Sequence, residues 1–137
     1  MTPAKPGFFT WLVRFSFLLA GLTGIFRLYG AINQYPDILA FSQQAWLPAY
    51  LMIAGGLMGL FNLGIWLALK RKPLLSTWLT WAGVLLNIFA YWAERFLLWA
   101  PSQRGTNTLW MIGVHSAWLL LVVFSQLQMK RRHYEHE

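Results

Sequence analysis

Four runs of mostly apolar residues, each long enough to cross a bilayer, constrain this chain more than any other feature. They extend from Phe8 to Gly30, from Leu47 to Leu69, from Leu74 to Leu98 and from Thr108 to Leu127. A hydrocarbon core about 30 Å thick needs about 20 such residues in a helix. Lipid offers no partner to backbone N–H and C=O groups, so each run must satisfy its own by forming a helix. The balance of residues fits: 58% are hydrophobic and 11% charged, where a soluble domain carries about a quarter charged. The expectation is an all-α, polytopic membrane protein, a four-transmembrane-helix bundle. It is a single membrane domain over residues 1–137 with a basic tail at 128–137.

The connections support this division. Asn33-Gln34-Tyr35-Pro36-Asp37 ends the first run, because Pro36 lacks an N–H and disfavours helical geometry in Tyr35. Lys70-Arg71-Lys72-Pro73 and Pro101-Ser102-Gln103-Arg104-Gly105 are the other breaks. Ile38 to Trp46 is expected to form a short helix in the interface. Lys5, then Lys70, Arg71 and Lys72, then Lys130, Arg131 and Arg132 fall on one side of the bundle, which the bias of Lys and Arg makes the cytoplasmic side. Both ends are therefore expected inside, and the protein is expected in a membrane such as the bacterial cytoplasmic membrane. Trp11, Trp78 and Trp81 fall near the inner boundary, and Trp46, Trp99 and Trp110 near the outer one, the level indole rings favour. Arg14 and Arg27 interrupt the first run, so it reads as a retained helix and not a cleaved signal.

Composition removes several chemistries. With no cysteine there is no disulfide, thiolate metal site or thiol catalysis. The net charge of +7 is spread over helix ends and leaves no basic amphipathic surface for nucleic acid. No phosphate-cradling glycine loop, dinucleotide fingerprint, HExxH or nucleophile elbow is present. No catalytic residue and no metal site are predicted.

In lipid, helices associate through small residues and polar contacts. Ser16, Ala20, Thr23 and Arg27 fall on one stripe of the first run. Gly55, Gly59, Asn62 and Trp66 mark the second, and Ser76, Thr80, Gly83, Asn87, Tyr91 and Glu94 the third. The fourth offers Gly113 and Ala117 on one side, and His115, Leu119, Val122 and Gln126 on another. Gly55, Gly59, Gly83 and Gly113 are the expected points of close packing. Lys70, Arg71, Lys72, Lys130, Arg131 and Arg132 are the expected topology and lipid contacts. Thr10-Trp11-Leu12 and Thr77-Trp78-Leu79 open the two halves alike, which leaves two readings: an internal repeat about an axis along the membrane normal, or chance similarity between two Trp- and Leu-rich helices.

Ionisable groups inside a membrane are costly and mark candidate sites. Arg27, Glu94 and His115 are expected in the outer half of the bundle, with Asn87 and Tyr91 extending the cluster inward. Two readings stand: a Glu94–Arg27 ion pair that fixes helix register, or a site for a proton, an anion or a headgroup. His115 by itself makes neither a haem site nor a metal site, since a catalytic metal takes about three protein ligands. His133 and His136 read as part of a solvated tail.

Arg14, the Gly21/Gly24 pair, Pro48 and Gly55-Gly56-Leu57-Met58-Gly59 give a layout that resembles DoxX-like small four-helix membrane proteins. The resemblance implies a link to quinone-associated redox complexes. Gly21-Leu22-Thr23-Gly24-Ile25-Phe26-Arg27 with Tyr29 and Asn62 is similar to the first two helices of small fluoride channels. The third run lacks the glycine-rich break those channels need. Three functions follow as expectations. The first is a non-catalytic subunit or assembly partner of a larger membrane complex. The second is a small homo-oligomeric transporter or channel. The third is a DoxX-like quinone- or lipid-associated redox component. No cofactor is predicted from the residues. The partners expected are membrane lipid and other membrane subunits, or further copies of the chain.

Overall fold

The computed structural model describes residues 7–42, 44–71, 76–99, 102 and 104–134, with the backbone alone at 76 and 132–134. The described residues are all-α: α1 (Phe8–Asn33), α2 (Tyr35–Ser42), α3 (Leu47–Arg71), α4 (Ser76–Leu98) and α5 (Thr108–Tyr134). Three are long and apolar enough to cross a membrane: α1, α3 and the Thr108–Arg131 part of α5, with only 22, 22 and 17% of their most apolar stretches buried. α4 has 23 residues, a span's length, but Trp, Thr, Asn, Glu and Arg residues dilute its apolar content.

The chain forms two compact units, one of Phe15–Lys72 and one of Met1–Arg14 with Pro73–Glu137. In the first, α1 and α3 meet backbone to backbone. A Cβ on Gly24 would stand 2.5 Å from the Gly59 nitrogen and 2.8 Å from the Gly55 oxygen. One on Gly55 would stand 2.9 Å from the Leu28 nitrogen, and one on Gly59 3.0 Å from the Ile25 nitrogen. Within this unit the buried residues of α1 are Phe17, Gly21, Gly24 and Ala31, offset from the predicted stripe of Ser16, Ala20, Thr23 and Arg27. Glycine shape sets the closest approach here. The exposed Thr23 hydroxyl instead donates to Leu19 O of its own helix, at 2.8 Å. On α3, Asn62 is buried with its Nδ2 donating to Met58 O at 2.8 Å.

The break after α1 is a single residue, Gln34. Gln34 N still donates to Gly30 O, and Ile38 N to Gln34 O, both at 2.9 Å. α2 therefore starts at Tyr35 and stops at Ser42, earlier than the predicted 38–46. Pro36 sits in its first turn, where a missing N–H leaves no intrahelical bond unmade, and Asp37 beside it complements the helix dipole. α2 buries no residue, and Phe41 on it is 90% exposed.

In the second unit, the start of α1 packs on the end of α5. The N-terminal N–H groups of a helix need outside partners, and Gln128 Oε1 accepts from Phe9 N at 3.2 Å. Thr10 and Ser125 join hydroxyls at 3.1 Å, and Phe9 stacks on Phe124 with centroids 5.4 Å apart. Thr77 Oγ1 donates to Gln126 Oε1 at 2.8 Å. Val84, Val122, Thr80 and Ser125 are buried. α5 continues past the predicted end at Leu127 because Gln, Met, Lys and Arg are good helix formers and no breaker intervenes. The tail residues Lys130 and Arg131 thus lie on the helix.

Candidate functional site

A buried arginine at the end of α4 organises the polar centre of the second unit. Tyr91, Arg95 and Trp99 follow at four-residue steps, which places them along one face of the helix end. Arg95 is 1% exposed, the largest fully buried side chain. Its Nε donates to Arg104 O at 2.8 Å. Its Nη2 donates to Arg104 O at 2.5 Å, to Thr106 O and to Thr108 Oγ1 at 2.9 Å. Its Nη1 donates to Tyr91 Oη at 2.6 Å. The cation also lies 4.9 Å from the Trp99 ring centre, 5.5 Å from that of Trp92 and 5.8 Å from that of Tyr91.

The loop between α4 and α5 is shaped to meet this cation. Asn107 has φ 58°, a left-handed conformation that asparagine tolerates better than most residues. Arg104 Nε donates to Trp99 O at 3.1 Å. The Thr108 hydroxyl, at the head of α5, is within 3.1 Å of Arg104 O and 3.0 Å of Gly105 O. The carbonyls of Arg104 and Thr106 converge on a planar fork of donors, the geometry guanidinium supplies and ammonium does not. Among the described residues every hydrogen-bond acceptor of Arg95 is neutral. The charge is offset by carbonyl dipoles and aromatic faces.

His115 on α5 adjoins the cluster. Its Nδ1 accepts from Trp92 Nε1 at 3.2 Å, and its ring meets Tyr91 edge to face with centroids 5.1 Å apart. Of the predicted cluster, then, Tyr91 and His115 come together, and Trp92 and Arg95 complete the group. Asn87 lies further along α4 and donates to Gly83 O at 2.7 Å. Glu94 is half-buried on α4. Arg27 belongs to the first unit, its Cβ 3.3 Å from where a Gly55 Cβ would stand. The four- and eight-residue spacing of Tyr91, Arg95 and Trp99 was the available signal for the centre at Arg95. The loop carbonyls were invisible, because a backbone acceptor has no sequence signature.

The predicted packing glycines divide. Gly55 and Gly59 lie at the α1–α3 approach, Gly83 is buried on α4, and Gly113 is exposed with nothing within 4 Å of a Cβ placed on it. The face of α5 that turns inward carries His115, Val122 and Ser125, so Gly113 is not a packing point among the described residues. Lys70 stands 5.4 Å over the Trp66 ring, and Arg71, Lys130 and Arg131 are exposed. Lys72 and the Arg132 side chain lie outside the described residues. No group of three or more His, Asp or Glu able to hold a metal occurs among the described residues.

Fold and site together define an all-α protein of membrane character with a cationic, aromatic-walled clasp at one helical hairpin. Comparison with protein families, with curated proteins and with solved structures finds no match for this chain.

Proposed function

We propose that the chain is a four-span membrane protein with both ends on the cytoplasmic side, acting as a non-catalytic subunit or assembly partner of a larger membrane complex. α4 serves as the fourth span on this reading. Its polar residues gather at one end and along one face, and its 23 residues extend about 35 Å at 1.5 Å each. Exposed apolar side chains such as Phe26 and Leu109, 71 and 85% exposed, suit contact with lipid or with other helices. The basic residues at the ends of α3 and α5 favour the cytoplasmic leaflet.

The observation that carries the subunit reading is the engagement of Arg95. Its guanidinium is committed to its own loop, so the most buried charge closes a hairpin and is not held ready for a reaction. Purification of a C-terminally tagged chain in mild detergent, followed by native mass measurement, tests this. Distinct membrane proteins recovered in fixed ratio are the expected result. A clean homo-oligomer would overturn it in favour of a small transporter or channel. A monomer that carries a bound quinone would favour the DoxX-like redox component.

A further inference from the structure

Two hydrogen-bond donors beside Arg95 have no acceptor among the described residues. The Trp92 indole has a donor and no acceptor, so the His115 Nδ1 that receives it carries no hydrogen. The ring is therefore neutral with its proton on Nε2, and among the described residues that N–H meets no acceptor. Among the described residues no buried side-chain nitrogen or oxygen is left without a partner, so Nε2 must reach the molecular surface although His115 is only 9% exposed. The neighbouring Tyr91 Oη accepts from Arg95 Nη1, and its own hydrogen likewise meets no acceptor among the described residues. An oxygen that accepts from a cation is polarised into a stronger donor. Two adjoining rings, with centroids 5.1 Å apart, thus each carry an uncommitted donor.

We infer that Tyr91 and His115 together bind the ester carbonyl of a membrane lipid, an inference that rests on α4 and α5 spanning the bilayer. An ester carbonyl oxygen accepts and cannot donate, the complement of a site that only donates. Depth agrees. His115 lies seven residues along α5 from Thr108, about 10 Å at 1.5 Å per residue. The headgroup layer is about 5–8 Å deep on each side of the hydrocarbon core. A helix that starts among the headgroups therefore brings His115 to the level of the ester groups. Phe89 on α4 and Leu120 on α5, deeper along the same helices and 71 and 55% exposed, offer apolar surface for acyl chains.

The test uses the full chain labelled with ¹⁵N-histidine in a sugar detergent, which has no carbonyl. Its three histidines are assigned with His133→Gln and His136→Gln. The chain is titrated with diester phosphatidylcholine and, separately, with the diether lipid of the same headgroup. The expected result is a saturable shift of the His115 Nε2–H resonance with the diester lipid alone. Tyr91→Phe should weaken that response about tenfold, the loss of one hydrogen bond. An equal response to both lipids would overturn the carbonyl assignment and point to phosphate. No response to either would overturn the site itself. Alkaline carbonate treatment of native membranes separates this from failure of the spanning reading. A chain that is retained while His115 stays silent loses only the lipid contact, and a chain that is released loses both.

Discussion

Arg95 and Arg104 meet through a hydrogen bond, but they contribute through different atoms. Arg95 acts through its guanidinium, Arg104 largely through its backbone carbonyl. Arg95→Ala should therefore destabilise the protein by about 2–4 kcal/mol, since it removes several hydrogen bonds from a charged, buried donor. Arg104→Ala should cost about 1 kcal/mol or less, because its carbonyl stays in place. Arg95→Lys should recover only part of the loss, because an ammonium offers three donors on one nitrogen where the guanidinium spreads five over a planar fork. Thermal unfolding in detergent ranks the three, and equal losses at positions 95 and 104 would contradict the clasp. At Asn107, φ 58° makes glycine the easy substitution and a β-branched residue the hard one. Asn107→Val should lower stability by about 1–2 kcal/mol and Asn107→Gly should be close to neutral, by the same measurement. Tyr91 and His115 were legible in sequence as polar residues within long apolar runs. Arg95 was not among the residues the sequence marked, because its value lies in what the following loop presents to it. That presentation depends on a left-handed residue and three backbone or hydroxyl oxygens, which no residue pattern announces.

At the scale of elements, α1 and α3 are held by shape. Gly24 meets the backbone of Gly59 and Gly55, and backbone cannot move aside as a flexible side chain can. Gly24→Ala should cost about 1–3 kcal/mol by overpacking. Gly113→Ala and Gly64→Ala, with nothing near the added methyl, should be neutral or stabilise their helices by up to about 1 kcal/mol. Unfolding of the three variants in one detergent checks the contrast, and a Gly113→Ala loss as large as that of Gly24→Ala would contradict it. The sequence carried the helices themselves well, because their length and apolarity are properties of the chain alone. It carried Gly55 and Gly59 through their four-residue spacing. It misplaced the inward face of α1, where polar residues drew attention from Gly21 and Gly24. It also misjudged Gly113, since small residues look alike whether they face a neighbour or open surroundings. The break at Gln34 was legible only as a region. Pro36 forbids a particular hydrogen bond, and the chain absorbs that loss in the first turn of α2.

For the whole molecule, the distribution of side chains is inverted relative to a protein built for water. Arg95, Asn62, Thr80 and Ser125 are buried, whereas Phe41, Leu97 and Leu109 are 79% or more exposed. Such a surface is stable where the solvent is itself apolar. Four spans and three predict different arrangements of the ends, and the absence of cysteine makes the distinction clean. The decisive measurement is labelling of single cysteines by a membrane-impermeant maleimide in intact cells, at Arg71→Cys at the end of α3, Ser102→Cys between α4 and α5, and His136→Cys near the C-terminus. The account predicts that Ser102→Cys reacts from outside, while Arg71→Cys and His136→Cys react only after permeabilisation. Labelling of Arg71→Cys and Ser102→Cys from the same side, with His136→Cys on the other, would show that α4 does not cross and would contradict it.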